Sequence, residues 1–150
     1  MYKYLWPSLN NSINSVITTV KSLEPVVLDI GCGEKPYQDM FGNCRYIGVN
    51  YSRVGAAPEI IGDALNLPVK SNSVDIVLCS QVIEHVPDPK KLVEESYRVL
   101  KSGGGLILTG PFYWPLHEEP NDYYRFTSYG FEYLLKTAGY KSIDIKSSWK

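Results

Sequence analysis

The stretch VVLDIGCGEKPY, residues 26–37, decides the fold and points to a binding site. Four apolar residues around Asp29 make the short, nearly continuous apolar pattern of a strand that is buried on both faces. The strand ends directly in Gly31-Cys32-Gly33. Glycines at such a position let the backbone turn sharply and let a ligand lie against it. Because parallel sheets bind ligands beyond the carboxyl ends of their strands, we expect the ligand at this turn.

Strand and helix patterns alternate along the rest of the chain. Strands are predicted at residues 26–30, 45–50, 59–64, 74–80, 105–110 and 140–146. Helices are predicted over residues 12–23, from Asp88-Pro89 to the KSGGG stretch at 101–105, and from Thr127 or Ser128 to Gly139. This alternation indicates an α/β fold: a Rossmann-like three-layer sandwich with a mostly parallel sheet of six strands flanked by helices.

Length, composition and charge limit the class of protein. With 150 residues, 44% of them hydrophobic, the chain is expected to form one domain, 1–150, that begins with a helical segment, 1–25. The net charge is −1 without runs of like charge, so neither a nucleic acid nor a membrane surface is expected as partner. The N-terminus lacks the apolar core of a signal peptide, and no apolar run reaches the roughly 18 residues of a membrane helix. A cytoplasmic location is therefore expected.

Cysteine and histidine usage argues against a disulfide framework or a structural zinc site. The three cysteines, Cys32, Cys44 and Cys79, are odd in number and form no Cys-x-x-Cys pair. His85 and His117 are the only histidines. We therefore predict reduced thiols and no metal site.

The glycine turn differs from the fingerprint of dinucleotide-binding folds. That fingerprint is Gly-x-Gly-x-x-Gly, whose third glycine seats a helix against the strand beside a pyrophosphate. Here Pro36 stands at the third position. The ligand is therefore expected to be nucleoside-like, without a diphosphate.

Five motifs carry a resemblance to a known family. VLDIGCG, YIGVNYS, GDALNLP, VDIVLCSQVIEHV and LKSGGGLILTGPF follow one another in the order and spacing of class I S-adenosylmethionine-dependent methyltransferases. The chain most resembles their type 11 methyltransferase domain, over residues 26–140. The resemblance implies S-adenosylmethionine as cofactor and methyl transfer as activity. A sheet of seven strands is usual in that family, one more than the six predicted here.

The resemblance also implies a role for individual residues around the cofactor. Asp29 and the glycine turn would hold the amino and carboxylate ends of the methionine moiety. Asp63 would accept a hydrogen bond from the adenine amino group, with a helix or turn cap as its alternative role, and Ser80 would line the methionine side. The implied cofactor contacts are Asp29, Gly31, Cys32, Gly33, Asn50, Tyr51, Asp63, Ala64 and Ser80.

Asn50 departs from the family pattern. Strand two of these enzymes usually ends in an acidic residue that accepts both ribose hydroxyls. An amide has one acceptor oxygen and an NH₂ group that only donates. A hydrogen bond to a charged group is worth ~1.5–3 kcal/mol against ~1 kcal/mol for a neutral one, so the cost is about tenfold in affinity. We interpret Asn50 as a weakened ribose contact; the alternative is a site that no longer binds the cofactor.

Residues 111–128 are predicted to form a lid over the methyl acceptor. This segment follows the fifth strand, at the end of the sheet where an acceptor pocket would form, and is rich in aromatic residues. His117 is the candidate general base, and His85, just after the fourth strand, is the second candidate catalytic residue and would also face the pocket. The alternative for His85 is a hydrogen bond at the side of the helix. The candidate substrate contacts are Tyr113, Tyr123, Tyr124 and Arg125. The alternative is a packed loop in which Arg125 pairs with Asp122.

Two other functions compete with methyl transfer. Tyr97 and Lys101 match the Tyr-x-x-x-Lys spacing of short-chain dehydrogenases, but Lys101 would lie at the opposite end of the sheet from the ligand. A non-catalytic binding or scaffold domain with the same fold is the second rival, because of Asn50 and the unpredicted seventh strand. An open sheet edge would be covered by the sixth strand, by further chain or by a second copy in a homodimer. Apart from this second copy, the expected binding partner is a small-molecule substrate.

Overall fold

The computed structural model describes residues 6–53 and 58–147, and its centre is a parallel sheet. In this part of the chain the sheet has five strands in the order β3-β2-β1-β4-β5, and every neighbouring pair is parallel. The strands are β1 (Val26–Ile30), β2 (Arg45–Asn50), β3 (Ile60–Ile61), β4 (Val74–Ser80) and β5 (Leu100–Thr109). The helices are α1 (Trp6–Thr19), α2 (Pro89–Val99) and α3 (Ser128–Ala138), with two 3₁₀ turns at Gln38–Phe41 and Ile83–His85. The predicted α/β class with a parallel sheet is confirmed.

The alternation of side chains along the strands produces a layer on each face of the sheet. Leu9 and Ile13 of α1 pack with Val27 and Leu78 on one face. The opposite face packs against the apolar sides of α2 and α3, with Leu92 at its centre. All seven residues of β4 are buried, as expected for a central strand covered on both sides.

The ends of α2 and α3 follow their capping residues. The Asp88 carboxylate accepts a hydrogen bond from the Lys91 amide (3.0 Å), and Pro89 occupies the first turn of α2. The Thr127 hydroxyl accepts from the Gly130 amide (3.0 Å) at the start of α3. Gly139, with φ of 108°, ends α3 in the left-handed region. These three predictions are confirmed.

Five sequence-based predictions are wrong: the range of the first helix, the length of the third strand, the stop of α2, the start of the fifth strand and the existence of a sixth strand. The first helix spans Trp6–Thr19 and not 12–23, and the third strand is limited to Ile60–Ile61. The KSGGG stretch does not end α2, because Leu100 already pairs with Val74 and the stretch belongs to β5. Residues 140–146 form no strand. Residues of this segment instead line a cleft with α1 and β5. The described residues therefore form five strands, one fewer than predicted.

The strand order positions the candidate site. It runs outward from β1 in one direction through β2 and β3, and in the other through β4 and β5. Ligands of open parallel sheets bind at such a reversal, beyond the carboxyl ends of the two strands that flank it. None of the helices in the described residues has the length and hydropathy needed to span a membrane.

Candidate active site

The glycine turn lies at this reversal of strand order and is fixed on two sides. The amides of Gly31 and Cys32 donate to the carbonyl oxygen of Val49 (2.8 and 3.1 Å), which ties the turn to β2. Gly31 has φ of 70°, and a Cβ there would lie 2.4 Å from a methyl carbon of Val82, just after β4. Gly33 has φ of 46°, and a Cβ there would meet no atom within 4 Å. Gly31 is therefore required for packing, whereas Gly33 presents the open backbone surface.

The Cys32 side chain points away from that surface. It is buried, and a Cβ on Gly48 of β2 would lie 2.6 Å from its Sγ. Burial raises the pKa of the Cys32 thiol to about 11, and the nearby Asp29 adds to this shift. Cys32 is therefore a neutral packing residue, and only its backbone contributes to the surface of the turn.

Asp29 is a buried carboxyl group one residue before the end of β1. Only 2% of it is exposed, and its Oδ2 accepts a hydrogen bond from the Tyr46 hydroxyl. Burial raises the pKa of Asp29 to about 7, although the Tyr46 hydrogen bond and the charge of Lys35 oppose the shift. Near neutral pH the carboxyl therefore exists in both protonation states, and a nearby ammonium group would favour the ionised one.

An ion pair that the sequence did not predict ties the turn to the β3 side of the sheet. Lys35 Nζ lies 2.5 Å from Glu59 Oε1, and Glu59 Oε2 accepts from the Gly48 amide (2.6 Å). Partial burial raises the pKa of Glu59, but the hydrogen bonds from Lys35 and Gly48 outweigh it and leave the pKa below its ordinary value. The pair holds the turn in place from the side of β2 and β3.

The predicted nucleoside contacts follow the ends of β2 and β3. Asn50 lies in register with Ile61, and its Oδ1 accepts from the amide of the exposed Tyr51 (3.1 Å). The Asp63 carboxylate is exposed and accepts from the Leu65 amide (2.8 Å), as a turn-capping residue does. Ala64, next to Asp63, is partly buried against the core.

Ser80 connects the ends of three elements. Its hydroxyl is 2.9 Å from the Thr109 hydroxyl of β5 and donates to the Tyr37 hydroxyl (3.3 Å). Gln81 follows with φ of 57° and donates from its side chain to Thr109 (3.1 Å). The structure thus places Ser80 beside the glycine turn, but its hydroxyl serves the connection between β4 and β5.

The segment after β5 folds back over the carboxyl end of β4. Arg125 binds both oxygens of the Asp122 carboxylate (2.6 and 2.7 Å) and donates to the carbonyl oxygens of Trp114 and Pro115 (2.9 and 3.0 Å). The Arg125 guanidinium holds the pKa of Asp122 well below its usual range. These are the contacts of the packed-loop alternative, and substrate binding by Arg125 stays a prediction.

The three candidate tyrosines lie on the outside of this segment. Tyr113 is 87% exposed. Tyr123 donates to the Asn121 side chain (2.9 Å), and Tyr124 donates to the carbonyl oxygen of Pro87 (3.0 Å). Their acceptor-binding role is not tested by these contacts.

The two candidate catalytic histidines meet at a third residue. Their rings are in edge contact, with centroids 4.7 Å apart. The Nε2 atoms of His85 and His117 each lie 3.8 Å from Oε1 of Glu84, which is completely buried. The sequence predicted that both histidines face the pocket, but not that a glutamate lies between them.

Comparison with known proteins agrees with this arrangement. Residues 28–108, more than half of the chain, match the family model described as a methyltransferase domain. The chain belongs to the class I S-adenosylmethionine-dependent methyltransferases. The predicted family, a class of S-adenosylmethionine-dependent methyltransferases, is thereby confirmed. The glycine turn, Asn50 and Asp63 lie within the matched region.

Relatives and a solved structure share parts of this methyltransferase domain. A methyltransferase of Mycobacteroides abscessus without a characterised activity is 38% identical over 107 residues, which cover 57% of this chain and 41% of that protein. The chloroplastic 2-methyl-6-phytyl-1,4-hydroquinone methyltransferase of Arabidopsis thaliana is 37% identical over 97 residues, covering 57% and 26%. An S-adenosylmethionine-dependent methyltransferase of Mesorhizobium loti shares the fold, with a TM-score of 0.68, 17% identity and coverage of 91% and 80%. The chain thus spans less than half the length of the two relatives in sequence.

Proposed function

We propose that this methyltransferase domain transfers a methyl group from S-adenosylmethionine to a small-molecule acceptor. The observation that carries the proposal is the glycine turn at the reversal of strand order, with an open backbone surface at Gly33. A methionine moiety would lie against that surface, with its ammonium group towards Asp29. The nucleoside would extend past Asn50 to Asp63.

The chemistry needs little from the protein besides alignment. The sulfonium already carries the activation, and the methyl carbon is attacked by a lone pair of the acceptor while its bond to sulfur breaks. Alignment of two bound reactants supplies ~7–11 kcal/mol of the barrier. The 111–128 segment, with its aromatic side chains, is the proposed wall of the acceptor site. A small acceptor is supported by the net charge of −1 and by the hydroquinone named in the Arabidopsis relative.

The second candidate function is that of a scaffold domain, which binds the cofactor weakly or not at all. The observation that favours it is Asn50, whose amide replaces the usual acidic ribose contact. Calorimetric titration with S-adenosylhomocysteine separates the two functions. Binding of one equivalent supports the enzyme, and the absence of heat at millimolar ligand supports the scaffold.

A matched pair of glycine variants tests the location of the cofactor. Gly33 and Gly103 both have positive φ (46° and 81°), and a Cβ on either meets no atom within 4 Å. Alanine at either position therefore brings a backbone cost of ~1–2 kcal/mol without a clash. Gly103 lies in the amino-terminal half of β5, far along the strand from the carboxyl-end crevice.

We expect Gly33→Ala and Gly103→Ala to lower the Tm by similar amounts. Only Gly33→Ala is expected to weaken S-adenosylhomocysteine binding, by at least about tenfold, because its methyl group would occupy space that the ligand needs. Equal affinities of the two variants would show that the ligand does not lie against Gly33.

A further inference from the structure

Two side chains at the centre of the acceptor side bury polar atoms without a hydrogen-bond partner. Both carboxylate oxygens of Glu84 and the Nε2 atom of His117 are inaccessible and unpaired. Buried polar side-chain atoms are nearly always hydrogen-bonded, since an unpaired one costs ~1–3 kcal/mol and a charged one more. Because Oε1 of Glu84 and Nε2 of His117 lie 3.8 Å apart, a ligand between them could satisfy both.

The distances between these atoms suit a metal ion and do not suit hydrogen bonds. Oε1 of Glu84 is 3.8 Å from Nε2 of His85 and 3.8 Å from Nε2 of His117. One ligand atom from each of the three residues can be chosen so that all lie within 4.8 Å of one another. A hydrogen bond would need about 3 Å. Two atoms that each bind a common ion at ~2.1 Å lie at most about 4.2 Å apart. The two 3.8 Å spacings to Glu84 fall within that range, and the imidazole–imidazole spacing is below 4.8 Å.

The surroundings orient both imidazoles with Nε2 towards Glu84. Nδ1 of His85 lies 2.6 Å from the carbonyl oxygen of Asn121, and Nδ1 of His117 lies 3.2 Å from that of Pro115. A carbonyl oxygen only accepts, so each Nδ1 is the protonated nitrogen, and in a neutral imidazole this leaves the lone pair on Nε2, the nitrogen near Glu84. Metal-binding histidines are oriented in this way by an acceptor on their other nitrogen.

The folded-back segment holds the geometry of the cluster. The Tyr123 amide donates to the Glu84 carbonyl oxygen (2.9 Å), which fastens the segment to the 3₁₀ turn after β4. Asp122 accepts from the His117 amide (3.0 Å) and is itself held by Arg125. Glu84 is completely buried, so its carboxylate is withdrawn from water. A bound cation would compensate the buried carboxylate directly.

We propose that Glu84, His85 and His117 form a binding site for one divalent transition-metal ion. Two imidazoles and one carboxylate are typical of sites for Zn²⁺, Co²⁺, Fe²⁺ or Mn²⁺, whereas Mg²⁺ and Ca²⁺ prefer oxygen ligands alone. Three protein ligands leave coordination positions open. The sequence-based expectation of no metal site considered cysteine pairs and the number of histidines, and took no account of Glu84.

The place of the site in the fold suggests its use, which rests on the proposed function. The cluster begins at Glu84, four residues after the end of β4, and Val82 between them packs against Gly31 of the cofactor turn. An acceptor hydroxyl on the ion would lose its proton to solvent more readily. Its oxygen would then attack the methyl carbon, an O–C bond would form as the S–C bond breaks, and S-adenosylhomocysteine would leave as a neutral thioether.

Cobalt titration of the chelator-treated protein tests the site. We expect one Co²⁺ per chain, with visible d–d absorption of nitrogen and oxygen coordination, and a rise in Tm with the ion. His117→Ala and Glu84→Gln are expected to weaken Co²⁺ binding about 100-fold or more. Glu118→Gln, which changes an exposed carboxylate of the same segment, is the matched control and should bind as the wild type does.

The outcomes separate this inference from the proposed function. Stoichiometric Co²⁺ binding without S-adenosylhomocysteine binding would keep the metal site and overturn methyl transfer. S-adenosylhomocysteine binding with no d–d band at millimolar Co²⁺ would overturn the metal site alone. Should the variants fail to fold, the Co²⁺ spectrum and the Tm shift of the wild-type protein decide whether the site binds the ion. Loss of the d–d band in Glu118→Gln would place the ion elsewhere and contradict the proposal.

Discussion

Asp29 is predicted to make the stability of the domain fall as pH rises from 5 to 8. Its folded-state pKa of about 7 lies well above the ordinary value of 3.8. Between these two values the folded protein holds a proton that the unfolded chain has released. Because the folded state binds more protons, the free energy of unfolding decreases with rising pH and levels off above the folded pKa.

The magnitude follows from the size of the shift. Each pKa unit corresponds to 1.36 kcal/mol, and with a folded value near 7 the change between pH 5 and pH 8 is about 2.5 kcal/mol. Only 2% of Asp29 is exposed, so screening by solvent reduces this figure little.

Urea unfolding at a series of pH values measures the effect, and Asp29→Asn isolates it. The amide oxygen still accepts from Tyr46, but the group no longer titrates. We expect the difference between wild type and variant to change by about 2.5 kcal/mol between pH 5 and pH 8. Asp39→Asn, at an exposed carboxylate of the 3₁₀ turn Gln38–Phe41, is the control and should keep the wild-type dependence of unfolding free energy on pH. If the free energies of unfolding of wild type and Asp29→Asn change in parallel with pH, the reasoning is refuted.

Two further variants test the cofactor site and the folded-back segment. Asn50→Asp should tighten S-adenosylhomocysteine binding about tenfold in calorimetry, because a carboxylate accepts from both ribose hydroxyls; unchanged or weaker binding would show that Asn50 has another role. Arg125→Lys keeps the charge but loses the two-pronged contact with Asp122 and the bonds to the carbonyl oxygens of Trp114 and Pro115, so the Tm should fall and limited proteolysis should cut the 111–128 segment faster. An unchanged cleavage rate would mean that Arg125 does not hold this segment.

The elements that the sequence predicts correctly are those whose pattern is local. β1, β2 and β4 have the predicted bounds, because each is a short apolar run that ends at a glycine, a polar residue or a turn. The end of α2 depends instead on a distant partner. Leu100 leaves the helix because it pairs with Val74 of β4, so the glycines that follow lie within β5 and do not stop the helix. Residues 140–146 have a strand pattern but no ladder to join in the described structure.

The same distinction applies to the site. The glycine turn could be predicted, since Gly31 and Gly33 directly follow a buried strand. The Lys35–Glu59 pair and the meeting of Glu84 with His117 could not, because each joins residues far apart in the chain. That second meeting requires the segment after β5 to fold back onto the end of β4, which no local pattern reveals.

A crystal structure of the full chain with S-adenosylhomocysteine is the most direct test of the central claim. The account predicts ligand density at the carboxyl ends of β1 and β4, with the amino-acid part within van der Waals contact of the Gly33 backbone and the ribose beside Asn50. Density at another surface, or an empty crevice in crystals grown with millimolar ligand, would contradict it.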